Sequence, residues 1–326
     1  MKFNLINQSM VFGGQERYVQ ELGKWLVAKG HQISFKGLPG NLLLSNALPE
    51  ECGVHLYNGN SALYSTLKGG VSGALNVYVH HSHIDDGQQL FWRRWVRKAL
   101  LKLLLRRFDL VVRVCNVALP DFYAPNRIIT IYNGVALDDS VLPRGPRHIK
   151  KWLMVGGVTN NKNQRLAIAA LAHCQDATLT IVGSGPALES LQLYASNLNV
   201  DSRVEWVGFV ADPQPYFNVC DVLLMLSHFE AFPYVVLEAM ASGMPVIATP
   251  VGGVPEVITD KNGILLNDYT IKSLVDAVMQ LEKAPDLYAG LSSAAISTIK
   301  ERFTLECCYR RLVSEIEKAI KDKELR

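Results

Sequence analysis

The chain has 326 residues, 49% of them hydrophobic and 19% charged, with a formal net charge of +3. That length suits two ordinary domains of roughly 100–200 residues each, and so much apolar content excludes disorder over most of the chain. With only 24 glycines and 14 prolines a collagen-like chain is excluded, and the charge is too mild to indicate a nucleic-acid partner.

Taken in chain order, β-rich runs stand at Phe3–Asn7, Gln32–Phe35, Ala74–His80, Leu110–Val114 and Ile128–Tyr132. A helix over about Gln15–Lys29, stopped by Gly30, separates the first two. A polar stretch, Asp138–Lys151, with two prolines and Gly145, reads as a linker. Strands follow at Trp152–Val155, Thr178–Val182, Val204–Phe209, Val222–Leu226, Val246–Thr249 and Gly263–Leu266, interleaved with helices at Gln164–His173, Pro186–Asn197 and Pro233–Ser242. A last helix, about Leu305–Lys321, can pack on either half. Apolar strands separated by amphipathic helices imply parallel sheets covered on both faces. The expected fold is therefore α/β: two Rossmann-like domains facing a central cleft, with ligands at the carboxyl ends of the strands.

Six cysteines, at 52, 115, 174, 220, 307 and 308, form no Cys-x-x-Cys pair. They read as reduced thiols of a cytoplasmic protein, and no zinc knuckle is indicated. Lys2 leads into a mixed polar segment, unlike a signal peptide, and no uninterrupted apolar run reaches the ~18 residues that span a bilayer.

The densest chemical signal is Ser227–Glu256, SHFEAFPYVVLEAMASGMPVIATPVGGVPE. Pro233 suits the first turn of a helix; Glu230 then lies in the loop before it and Glu238 about five residues inside. Free N–H groups at that helix end favour an anion. A bound phosphate, with carboxylates accepting from neighbouring hydroxyls, describes a nucleotide-sugar site.

This run resembles the donor-site signature of retaining glycosyltransferases of family 4, the group 1 glycosyl transferases of GT-B fold. It carries their Glu-x7-Glu pair, Phe-Pro after the first Glu, Glu-Ala-Met-Ala-x-Gly-x-Pro-Val, and Gly-Gly-x-Pro-Glu. The resemblance implies that Glu230 meets hydroxyls of the transferred sugar, that Glu238 accepts from the ribose, and that the backbone at Ala231–Phe232 approaches sugar or phosphate. Val155-Gly156-Gly157 with Lys162-Asn163 resembles the family's diphosphate-binding element, with Lys162 on a phosphate oxygen. Gly157 stands where the family often has Arg, and Ala231 where it usually has Gly. Val207-Gly208-Phe209 resembles the element near the base. Gly13 and Gly14, which open the first helix, resemble the loop facing donor phosphates and acceptor. Asn133-Gly134-Val135 resembles the Asn-Gly-Val that ends the family's N-terminal domain. His80-His81-Ser82-His83 resembles the His-Ser-His of polysaccharide- and lipopolysaccharide-building members; His83, ahead of His81, is expected near the reacting sugar.

The domains implied are 1–140, an acceptor-binding half onto which 305–326 can pack back, and 141–304, a donor-binding half. The implied reaction moves a sugar, with UDP-hexose as the default donor, to a saccharide or lipid-linked saccharide hydroxyl with retention and without a metal or cofactor. Two rivals stand: a nucleotide-sugar-binding subunit with little turnover, and a zinc-dependent hydrolase using His81, His83 and Asp85. Finally, residues 88–107 hold seven Arg or Lys and no acid. At helical spacing Trp92, Trp95, Val96, Ala99 and Leu103 form one apolar stripe, suited to an anionic membrane surface. The protein is expected as a peripheral protein on the cytoplasmic face of the inner membrane, with no nucleic-acid partner.

Overall fold

The computed structural model describes residues 1–8, 13–36, 53–69, 75–82, 91–124 and 128–325. The chain divides into two compact units, Met1–Gly134 with Leu305–Arg326, and Val135–Thr304.

The first unit is built on a six-stranded sheet of order β2-β1-β3-β4-β5-β6, parallel throughout. Its strands are β1 (Lys2–Asn7), β2 (Gln32–Lys36), β3 (Val54–Asn58), β4 (Leu75–His80), β5 (Leu110–Arg113) and β6 (Ile128–Thr130). Helices α1 (Gly14–Ala28), α2 (Gly59–Gly69), α3 (Phe91–Leu105) and α10 (Leu305–Glu324) accompany it. β4 is buried along its whole length, its polar Asn76 and His80 included, as befits a central strand of a parallel sheet covered on both faces. One side of the core joins Tyr57 and Tyr78 to Phe108 and to Leu101, Leu104 and Leu105 of α3. The last helix belongs here: Tyr309 sets its ring edge-on to Tyr18 of α1, and the Trp25 indole donates to Glu306 at 2.7 Å.

The second unit holds a six-stranded parallel sheet of order β12-β11-β10-β7-β8-β9. These strands are β7 (Lys151–Val155), β8 (Thr178–Val182), β9 (Val204–Gly208), β10 (Val222–Met225), β11 (Val246–Ala248) and β12 (Ile264–Leu265). Between and after them run α4 (Gln164–Leu171), α5 (Leu188–Asn197), α6 (Gln214–Val219), α7 (Tyr234–Ala241), α8 (Ile271–Lys283) and α9 (Pro285–Thr298). Trp152 is fully buried in β7 and anchors a core that reaches α4, α8 and α9. Residues 138–150 carry no helix or strand, yet they are tied down: the Arg144 N–H donates to Ser292 Oγ at 2.8 Å, and its guanidinium donates to the carbonyls of Cys220 (2.6 Å) and Phe217.

The chain leaves β7 towards β8 and β9, then returns to lay β10 against the other side of β7. The order reverses between β7 and β10, and parallel α/β sheets bind ligands at the carboxyl ends flanking such a reversal. The loops that matter are thereby specified: 156–163 after β7 and 226–233 after β10. Beyond the elements expected from sequence, the structure adds β3, α2, α6, α8 and α9.

Candidate functional site

Glu230 and Lys162 meet at that reversal. Lys162 Nζ lies 2.6 Å from Glu230 Oε1 across 68 residues of sequence, with the side chains 24% and 15% exposed. Gly156, at φ +131°, lets the lysine stem pass: a Cβ there would sit 3.3 Å from Lys162 Cε. Asn163 then takes a left-handed turn (φ 53°) into α4.

Sequence spacing puts Pro233 inside the helix and both carboxylates at its mouth. The structure shifts only the proline: α7 starts at Tyr234 with Pro233 as its extended N-cap residue, and Glu238, half-buried, is the fifth residue of the helix as the spacing suggests, away from its first turn. Glu230 alone precedes the helix. The Ala231 carbonyl accepts from Gly253 N–H at 2.7 Å, and the Phe232 ring is buried against Phe303. Those two groups are occupied within the protein.

Three glycine crossings hold the loops against one another. A Cβ on Gly183 (φ +143°) would lie 1.9 Å from the Gly156 carbonyl oxygen, one on Gly185 2.3 Å from that of Val158, and one on Gly252 (φ +55°) 1.8 Å from that of Glu230. Only glycine permits backbones this close. Gly208 (φ +81°) ends β9, its carbonyl accepting from Gly183 N–H at 2.8 Å; Phe209 lies just beyond the strand and is 73% exposed. Gly157 is open, with a Cβ site 3.6 Å from its nearest neighbour, so the absence of a side chain there is not forced by packing.

Sequence reasoning missed Asn161. Its carbonyl accepts from His228 N–H (2.8 Å), its Oδ1 from Phe229 N–H (3.0 Å), and its Nδ2 donates to the Phe229 carbonyl (3.0 Å). His228 in turn stacks on Tyr269, centroids 4.9 Å apart.

In the first unit Gly13 is the extended N-cap residue of α1 and Gly14 its first residue. Behind them, polar side chains gather where the strand order reverses between β1 and β3. Asn58 Nδ2 donates to Asn7 Oδ1 (3.0 Å) and to the Gln15 carbonyl (2.9 Å), so its Oδ1 is left to accept from His81 Nε2–H at 2.7 Å. Burial, with His80 as the smaller contribution, pushes the His81 pKa down to about 3. That Nε2 is spent on Asn58. His83, the preferred catalytic histidine, lies outside the described residues, as do Asp85 and Asp86. Among the described residues no three His, Cys, Asp or Glu side chains are grouped to hold a metal.

Residues 146–298 match the family described as Glycosyl transferases group 1. Over those residues the chain is similar to a group 1 domain. Both Lys162 and Glu230 lie within it. The chain is 34% identical over 152 residues to N-acetyl-alpha-D-glucosaminyl L-malate synthase of Bacillus anthracis, covering 46% of this chain and 39% of that protein. It is 30% identical over 198 residues to the Vi polysaccharide biosynthesis protein VipC/TviE of Salmonella typhi, 54% of this chain and 34% of that protein. The chain thus spans well under two thirds of these relatives. Its fold, the two-sheet α/β arrangement of GT-B type, is that of Anabaena HepE, solved with UDP and glucose: TM-score 0.78, 19% identity, 98% of this chain and 100% of that one.

Among the described residues the basic segment forms α3 over Phe91–Leu105, residues 88–90 lying outside them. Helical spacing suggests one apolar stripe, but the helix has two apolar faces. Leu101, Leu104 and Leu105 enter the core, whereas Trp95 (68%), Val96, Ala99 and Leu103 (58%) are exposed. Phe122, also exposed, lies by Lys102, whose Nζ is 6.0 Å from its ring centre. Among the described residues no helix is long and apolar enough to cross a membrane.

Proposed function

We propose that the protein is a retaining glycosyltransferase that moves a hexose from UDP to a hydroxyl of a saccharide or lipid-linked saccharide in cell-surface polysaccharide or lipopolysaccharide synthesis. The contact between Lys162 and Glu230 at the strand-order reversal carries this reading. It brings together a cation suited to phosphate and a carboxylate suited to sugar hydroxyls, where a parallel sheet offers its ligand site. In the reaction the bond from the anomeric carbon to the diphosphate breaks. The acceptor oxygen bonds to that carbon on the same face, and the acceptor proton passes to the leaving phosphate. Lys162 offsets charge on the departing diphosphate, an interaction that strengthens in the transition state. Glu230 orients the sugar while its ring gains positive charge. Glu238 serves the ribose, and the backbone at Gly208 and Phe209 the base. Gly13, Gly14 and His83 keep the roles the resemblance implies. The mechanism uses no metal.

The exposed apolar stripe of α3 supports a second part of the reading: this face rests on an anionic membrane on the cytoplasmic side, with Trp95 at headgroup depth and Lys102 and Arg106 against phosphates. The decisive experiment is transfer from a panel of nucleotide sugars to lipid-extract acceptors, with and without EDTA. Wild type should transfer in both conditions. E230A and K162A should each lose at least about 100-fold in kcat/KM while staying folded, the scale on which one transition-state contact acts. Unimpaired transfer by E230A removes its assigned role. UDP binding without transfer by wild type would assign a binding subunit instead.

A further inference from the structure

We infer that Asn161 is the positioning residue of this site: its carboxamide holds Lys162 at Glu230. The inference rests on the transfer reading above for its kinetic consequence, and on geometry alone for its structural one.

Lys162 and Glu230 belong to loops that follow different strands, and no regular element joins those loops. Asn161 does so with three hydrogen bonds in a row. Its main-chain oxygen takes the His228 N–H, and its side chain takes both the N–H and the carbonyl of Phe229. A carboxamide pairing with both groups of one peptide residue reproduces the two-bond exchange of a β-bridge. It fixes direction as well as distance. The residues pinned, 161 and 229, are the immediate neighbours of 162 and 230. The lysine stem is confined on its other side by Gly156, and the far side of the glutamate loop is held independently, by Gly253 N–H on the Ala231 carbonyl and by the Gly252 crossing. Removing the Asn161 side chain deletes both bonds to Phe229 and leaves the main-chain bond to His228 N–H, so the lysine loop should loosen from residues 229–230 while the glutamate loop stays seated on 251–253. The pair should separate without the domain unfolding.

A group aimed at developing charge loses most of its value when displaced by about 1 Å, of order 100-fold in rate. The ground state is held by more contacts and loses less. N161A should lower kcat by about 10–100-fold and change KM for the nucleotide sugar by no more than about 3-fold. In a K162A background, N161A should cost little more, because the residue acts through the lysine.

The test combines the crystal structure of N161A with the kinetics of N161A, K162A and N161A/K162A. Support is a Lys162–Glu230 separation beyond hydrogen-bond reach together with a kcat loss that vanishes in the K162A background. The inference is overturned by a pair still in contact in N161A, by an unchanged kcat, or by a loss equally large with and without Lys162. If wild type transfers nothing, the transfer reading fails by itself, and the crystal structure alone decides whether Asn161 holds the pair. Should N161A not fold, N161S, which keeps a hydroxyl to accept from Phe229 N–H, is read against the same outcomes.

Discussion

Gly252→Ala is the sharpest test of how the site is built. Gly252 sits at φ +55°, and an added Cβ would meet the Glu230 carbonyl oxygen at 1.8 Å, its carbon at 2.8 Å and the Ala231 oxygen at 3.0 Å. All three are backbone atoms, so no side-chain rotation relieves the overlap. The left-handed conformation costs a non-glycine residue about 1–2 kcal/mol, and forced backbone movement in a packed region about 1–3 kcal/mol. The sum, about 2–5 kcal/mol, lies below the ~5–15 kcal/mol that stabilises a typical domain. The variant should therefore fold, with Tm lower by roughly 5–15 °C. Relief of the overlap moves the Glu230 loop by on the order of 1 Å, which is worth about 100-fold in transfer rate. Gly30→Ala is the control. Gly30 has φ +78° but nothing within 4 Å of its Cβ site, so it carries the conformational cost alone and should leave the rate unchanged. Thermal unfolding of both variants with initial rates of transfer decides. If G252A melts no lower than G30A and transfers at the wild-type rate, the loops do not cross as described.

Two further outcomes are expected. His81 is neutral in the folded protein, with a pKa near 3 against 6.5 when unfolded. The unfolded chain takes up its proton first, so the contribution is fully present above about pH 6.5 and is lost as pH falls towards 3, with a slope of at most about 1.4 kcal/mol per pH unit. Urea unfolding at pH 7.5 and 5.0 should show a smaller loss on acidification in H81Q than in wild type, and an identical loss removes the claim. The exposed face of α3 predicts sedimentation with vesicles rich in anionic lipid, weakening as salt rises; W95A/L103A should lose about 10-fold or more in binding. Equal binding to neutral vesicles, or none lost by the variant, would sink the membrane assignment.

The fold was legible because most strands here are short β-branched runs between amphipathic helices, a pattern that only a parallel α/β sheet buries. β3 escaped because Val54–Asn58 alternates apolar residues with His55 and ends in Asn58; it becomes a central strand only once β1 and β4 flank it. α8 needed no tertiary context: Ile271, Leu274, Val278 and Leu281 repeat at helical spacing behind Thr270, whose side chain accepts from Ser273 N–H. In α3 the charges masked the second face. Leucines at 101, 104 and 105 face the core, which a single-stripe reading cannot anticipate for a helix that is apolar on two sides.

The site divides in the same way. Glu230, Glu238 and Lys162 stand out in the sequence because each sits in a run whose residue types answer to one ligand. That Lys162 touches Glu230, and that Asn161 and Gly252 fix the contact from opposite sides, depends on the strand order reversing between β7 and β10, which no local pattern encodes. The rule for right-handed crossovers narrows the possible orders, but it does not say after which strand the chain turns back. Here it turns back after β9, and only that choice makes neighbours of loops 156–163 and 226–233. Had the sheet run on in one direction, the same motifs would sit on strands too far apart for one ligand to reach both. The residues that name the chemistry are therefore local in sequence, and those that make it work as a unit are set by topology.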